Sequence, residues 1–271
     1  MEVDAVAEVD LVNTGLPVRL VDGGRLLFGR GLPAVDPSLR PWEELRPVLR
    51  DPDSCPQGTA YLMYRDICWP VHRELLREHR LRYDLTVIPA ARAGREPVRT
   101  HGHYHARAPG GELSYPELYQ VVCGEAWFLL QQPGPAGARE VVVLRGRAGQ
   151  YVLVPPGYGH VTVNVGLTTL VIANWVERHF PSSFSEMRAR GGAAYHVLEG
   201  PSGLELVPNP AYGDPVPVRV HDAFPLHVLG LAEGEPSYPV GVHHPGRLGF
   251  LVDPGSWQEV LTTAWQEGGL A

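Results

Sequence analysis

The chain has 271 residues, 44% of them hydrophobic, enough for one large domain or a domain with a small appendage. Its 30 acidic side chains outnumber the 23 basic ones, and the formal charge of −7 argues against a nucleic-acid or anionic-membrane partner. No run approaches the roughly 18 apolar residues of a membrane helix. The acidic start Met1-Glu2-Val3-Asp4 lacks the basic segment and apolar core of a signal peptide. Cys55, Cys68 and Cys123 are odd in number and lack CxxC spacing, so they read as free thiols. The expectation is a soluble cytoplasmic protein.

Residues 1–58 hold short apolar stretches (18–21 and 25–28) and then a short helix over 42–45 with Pro41 in its first turn. A strand is expected at 59–64. A helix should run from Pro70 to about Arg80, with Val71, Leu75 and Leu76 on its apolar face. From 83 to 176 the pattern turns to β. Apolar, β-branched runs at 85–89, 118–131, 139–144, 150–154, 161–165 and 168–176 alternate with turn signals. Such spacing predicts a closed all-β barrel or jelly roll with a few short peripheral helices. Ser183-x-x-Glu186 and Ser256-x-x-Glu259 have the form of capping boxes, predicting a helix over 184–190 that stops at Gly191 and a final helix through about Trp265. Trp257 and Trp265 are expected to pack that last helix onto the barrel or a partner subunit. Residues 201–271 read as a Pro/Gly-rich extension of a barrel spanning 59–200.

Within the barrel, His103 and His105 stand two apart, so in extended chain both face the same side. Glu117 lies on the next apolar run, and His160 follows the turn Pro155-Pro156-Gly157-Tyr158-Gly159. Three imidazoles and a carboxylate form a ligand set for one divalent ion. Fe(II), Mn(II), Ni(II), Zn(II) and Cu(II) all accept it. On an octahedral ion, four protein ligands leave two positions for water or substrate oxygens, which is a catalytic arrangement. Glu112 is nearer to His105 and is the alternative acid. His221, His227, His243 and His244 have no acid at matching spacing and read as loop residues.

The spacing His103-x-His105, Glu117, six residues, Gly124 resembles the first signature of the cupin superfamily. Gly149-x5-Pro155-x-Gly157-x2-His160-x3-Asn164 resembles the second, with 24 residues between the two. Only Glu117 keeps the six-residue register to Gly124. Two departures stand out: Pro97 replaces an expected glycine, and 11 residues separate His105 from Glu117. That gap contains Pro109-Gly110-Gly111 and reads as an extended hairpin at the barrel mouth. Thr100-His101-Gly102-His103-Tyr104-His105, Glu117-Leu118-Tyr119, Tyr83 to Pro89, and Val154 to Asn164 resemble the cupin-type (archaeal-type) glucose-6-phosphate isomerases over about residues 59–200.

The resemblance implies a double-stranded β-helix and a homodimer interconverting glucose 6-phosphate and fructose 6-phosphate. It implies one divalent metal, Fe(II) or Mn(II) first and Zn(II) or Ni(II) next, on His103, His105, Glu117 and His160. Thr86, Thr100 and Gly102 match positions that hold the phosphate, and Tyr61 and Tyr119 match tyrosines of the sugar site. Trp175 stands where a phosphate-contacting tyrosine is expected, and Phe184 in place of another. Glu117 is the first candidate for the base and Tyr119 for a proton relay, with a hydride shift as the other route. Competing readings are an isomerase of mannose 6-phosphate, a metal-dependent cupin dioxygenase or decarboxylase, and a non-catalytic sugar-binding cupin.

Overall fold

The computed structural model describes residues 8–135 and 137–270. Strands β1 (Val9–Asp10), β2 (Val18–Val21) and β3 (Arg25–Phe28) form an antiparallel meander. Strand β4 (Ser38–Pro41) runs into helix α1 (Trp42–Leu45), with Pro41 as its N-cap. Strand β5 (Thr59–Tyr64), helix α2 (Arg73–Glu78) and strand β6 (Leu81–Ile88) follow. The short β7 (Arg92–Ala93), β8 (Glu96–Pro97) and β9 (Tyr104–His105) precede the long central strands. These are β10 (Glu117–Cys123), β11 (Glu125–Gly134), β12 (Gly137–Arg147), β13 (Tyr151–Val154), β14 (Gly159–Asn164) and β15 (Leu170–Glu177). The chain ends through β16 (Ser182–Ser183), α3 (Ser185–Ala189), β17 (Tyr195–Gly200), β18 (Gly203–Pro208), β19 (Val218–Asp222), α4 (Ser237–His243) and α5 (Gln258–Glu267).

Two sheets build the cupin barrel. The larger has the order β13-β10-β15-β6-β5-β4 and the smaller β14-β11-β12-β19. All pairings within them are antiparallel except that of β12 with β19. Consecutive β10 and β11 belong to different sheets, so the chain must turn a corner between them. Gly124 makes that corner at φ +88°, where a Cβ would meet Thr169 O and Leu170 Cα at 3.1 Å. The run expected as one strand over 118–131 is therefore two.

Tyr119, Val121, Phe128, Leu130, Val142, Leu144, Val152 and Ile172 form one buried core shared by the two sheets. The other face of the larger sheet is buried as well. Tyr83, Leu85, Leu118, Leu153 and Trp175 pack with Leu16, Val18, Leu20 and Leu26 of the meander and with Tyr238, Leu248, Phe250 and Leu261 of the C-terminal segment. On the smaller sheet, Leu129, Val141, Val143, Val161 and Val163 pack with Met187, Tyr195 and Tyr212. Hence every residue of β14 and β15 is buried, the polar His160, Thr162, Asn164, Asn174 and Glu177 included. The segments flanking 59–200 thus complete the sheets, through β4 and β19, and cover the outer face of the larger one.

Several expected helix details are corrected. Helix α2 is preceded by a 3-10 turn, Pro70–His72, in which Val71 is exposed rather than on the apolar face. Neither serine caps as expected. Ser183 lies in β16 with its hydroxyl on Ser185, so α3 starts at Ser185. The cap before the last helix is Asp253, whose carboxylate accepts from Ser256 N–H ahead of a 3-10 turn at Pro254–Trp257. A preceding carboxylate reached the free N–H groups first. The stop at Gly191 stands, with Gly192 N–H on Met187 O at 2.8 Å. Trp265 packs against Tyr158 of the barrel, centroids 5.3 Å apart. No helix among the described residues is long and apolar enough to cross a membrane.

Candidate metal centre

Residues 98–105 run beside β14. Thr100 N–H reaches Thr162 O at 2.8 Å, and His103 and His160 exchange backbone bonds of 3.2 and 3.0 Å. This bridge makes the two imidazoles cross-strand neighbours on one face. Gly102 sits just before it at φ +82°, and a Cβ there would lie 2.5 Å from Val161 Cγ2. Only glycine supplies that conformation and that closeness. His105 lies two residues on. Tyr104 points the other way, its hydroxyl accepting from Gln131 Nε2 at 2.6 Å. Glu117 opens β10 and so comes from the opposite sheet.

Three Nε2 atoms converge: His103 to His105 at 3.2 Å, His103 to His160 at 3.3 Å and His105 to His160 at 3.2 Å. Glu117 Oε2 is 3.2 Å from His105 Nε2 and 3.3 Å from His160 Nε2. Ligand atoms about 2.1 Å from one ion stand about 3.0–3.4 Å apart between octahedral and tetrahedral angles, so these spacings fit a coordination shell. The His105 Nδ1–H donates to Tyr115 O at 2.7 Å, which leaves the Nε2 lone pair facing the cluster. Glu117 Oε2 is buried without a hydrogen-bond partner, and a cation would satisfy it. The residues present therefore fit a divalent ion. Among the described residues this is one group of four that could hold one.

Protonation favours the same reading. Burial, reinforced by the His160 and His105 charges, holds the His103 imidazole well below its ordinary value, and burial holds His160 down to about 4. Burial pushes the Glu117 carboxyl up, but contact with His105 and the His160 charge outweigh it and leave it lowered. Near pH 7 His103 and His160 are therefore neutral imidazoles and Glu117 is a carboxylate, the forms that bind metal. Glu112 is elsewhere, paired with Arg107 at 2.6 Å on the exposed hairpin that Arg107 and Ser114 bridge.

A cavity opens over the cluster, lined by Tyr61, Thr86, Thr100, Gly102, His103, Glu117 and Tyr119. Trp175 is not among its walls, which corrects the expectation for that residue. On β15 the inward side chains are Ile172, Asn174 and Val176. Trp175 lies between the last two and faces the outer core, where its indole N–H donates to Ser237 O at 2.8 Å and its ring stands 4.9 Å from Tyr83. Phe184 does reach the cavity.

Sequence reasoning missed Arg40, Arg65, Arg82, His101, Asn174 and Phe180, all on the cavity wall. The alternation of Arg82, Asp84 and Thr86 was a usable signal, since all three share a face of β6. Asp84 is fully buried, and its carboxylate accepts from Arg65 at 2.7 Å, from Arg82 at 2.9 Å and from Asp66 N–H at 2.9 Å. One carboxylate thus aims two guanidinium groups.

Behind Thr100 and His101 lies a second buried pair. Arg99 bonds Glu96 at 2.7 Å and also donates to Val48 O, Thr100 O and His101 O. Glu96 accepts Arg50 N–H at 2.7 Å. Burial pushes the Glu96 carboxyl up, yet Arg99 and His196 outweigh it and hold it down to about 2. A carboxylate lowered from about 4.5 stabilises the fold above that pH and loses the contribution as pH falls toward 2. Glu96→Gln is expected to lose about 3 kcal/mol at pH 7 and to match the parent near pH 2. Urea unfolding across that range checks it, and a pH-independent difference contradicts it.

The two-sheet barrel with this cluster at its mouth defines a cupin whose ligand set could hold one metal ion. The family described as glucose-6-phosphate isomerase (GPI) matches residues 41–209. Glucose-6-phosphate isomerase of Thermococcus gammatolerans is 29% identical over 136 residues, 50% of this chain and 67% of the relative. That of Pyrococcus furiosus is 33% identical over the same length and shares. Among solved structures, an oxalate oxidase aligns with 45% of this chain and 51% of its own at 19% identity and a TM-score of 0.32, too little to bear on function. The chain belongs to the glucose-6-phosphate isomerase family.

Proposed function

We propose that the protein interconverts glucose 6-phosphate and fructose 6-phosphate, as a homodimer, with one Fe(II) or Mn(II) held by His103, His105, Glu117 and His160. The observation that carries this reading is the convergence of those four side chains under a cavity walled by guanidinium groups. When bound by these four side chains, the ion would supply Lewis-acid polarisation of the substrate carbonyl. Tyr119 stands two residues from Glu117 on the same face of β10. Burial and the Glu117 charge push its phenol well above the ordinary value, so it keeps its proton and donates it to a substrate oxygen. Glu117, ionised at neutral pH, accepts the proton from C1 or C2 in the proton-transfer route.

Purified protein loaded with Fe(II) or Mn(II) is expected to turn over both sugars, to lose turnover in EDTA and to recover it when the ion is restored. Folded, metal-bound protein inert toward both sugars overturns the proposal. Turnover in D2O separates the routes, because proton transfer washes deuterium into the product carbon and a hydride shift does not.

A further inference from the structure

We propose that Arg40 is the residue that binds the phosphate end of the substrate, an inference that rests on the sugar-phosphate reading of the same cavity. Arg40 lies on the edge strand β4, paired with Tyr61 of β5. Its guanidinium carbon stands 5.9 Å from the Tyr61 ring centroid and 5.7 Å from that of Phe184. Both aromatic neighbours also touch the segment before the histidines. The Tyr61 hydroxyl accepts His101 N–H at 3.2 Å, and Phe184 packs edge-on to His101 with centroids 5.2 Å apart. Arg40 therefore belongs to the Thr100–Gly102 end of the cavity.

Two donors at that end lack acceptors. The Arg40 Nε is buried without a hydrogen-bond partner, while a terminal nitrogen meets Glu44 at the rim. Thr100 Oγ1 already accepts Thr162 N–H at 3.0 Å, which leaves its own O–H to donate. A buried guanidinium N–H without an acceptor is costly, and an anionic oxygen answers it with a charge-assisted bond. Arg65 and Arg82 are different in kind, since buried Asp84 already engages both. With Trp175 turned into the outer core, no phenol from that position serves the phosphate. Aromatic contacts on Arg40 fix the planar fork that takes its place.

Isothermal titration of metal-loaded protein with inorganic phosphate, beside steady-state kinetics on glucose 6-phosphate, tests the assignment. Arg40→Met is expected to weaken phosphate binding and raise KM by roughly 10-fold or more, with kcat changed less than about 3-fold. Arg40→Lys keeps the charge and the aliphatic stem and is expected to fall between. Glu44→Gln releases the rim nitrogen and is expected to hold or tighten phosphate. Unchanged phosphate affinity in both Arg40 variants overturns the assignment, as does a fall in kcat with KM unmoved. Wild-type protein that binds phosphate through Arg40 yet isomerises neither sugar supports the assignment and overturns the isomerase reading.

Discussion

His160→Ala is expected to lower metal affinity by more than about 100-fold and to remove isomerase turnover. Loss of a group behind a ligand already costs about 10–100-fold, and His160 is placed to be a ligand itself. Its Nε2 stands 3.2–3.3 Å from His105, His103 and Glu117, so no neighbouring side chain can take over its place. The metal-free protein should remain folded, because the backbone bonds between residues 103 and 160 need no imidazole. Elemental analysis after dialysis, with a thermal melt of the metal-free form, is the check. A variant that keeps a full equivalent of metal and full activity removes His160 from the centre.

Asp84→Ala is expected to cost about 3 kcal/mol of stability, because it leaves two guanidinium groups and the Asp66 N–H without their buried acceptor. The cost sits at the low end of such losses because the Arg65 and Arg82 side chains are 45% and 22% exposed and water can reach them. A fall in melting temperature of roughly 6–12 °C corresponds to that cost in a domain of this size. Asp84→Asn keeps an acceptor for Asp66 N–H and should lose less. Since Arg65 and Arg82 line the cavity, KM should rise in both variants. Melting curves alongside KM measurements test the pair, and a melting temperature unchanged in Asp84→Ala contradicts the account.

The candidate site was legible because its geometry is local. His103 and His105 share a face by strand alternation, and Glu117 and His160 each sit at the start of a strand or just after a turn marked by proline and glycine. Arg40 was not legible. Nothing in Ser38–Pro41 says that the strand pairs with Tyr61, 21 residues on, and that pairing alone brings the guanidinium to the cavity. Trp175 was expected at the substrate site from the resemblance, and nothing in the strand's own residues corrects that. When both faces of a strand are buried, polarity no longer reports which face looks inward, and register decides. Tyr119 pairs with Asn174, and so Trp175 turns outward.

By itself the sequence determined the all-β class, the family and the four side chains able to hold a metal. Those follow from spacing along single strands and from turns whose residues are nearly obligatory. Tertiary structure alone decided which arginines wall the cavity, where Trp175 points, and what residues 8–58 and 201–270 do. They bury the outer face of the larger sheet, a role set by contacts between residues more than a hundred positions apart, such as Tyr83 with Ser237. Such contacts depend on how sheets close and stack, and no local periodicity encodes them.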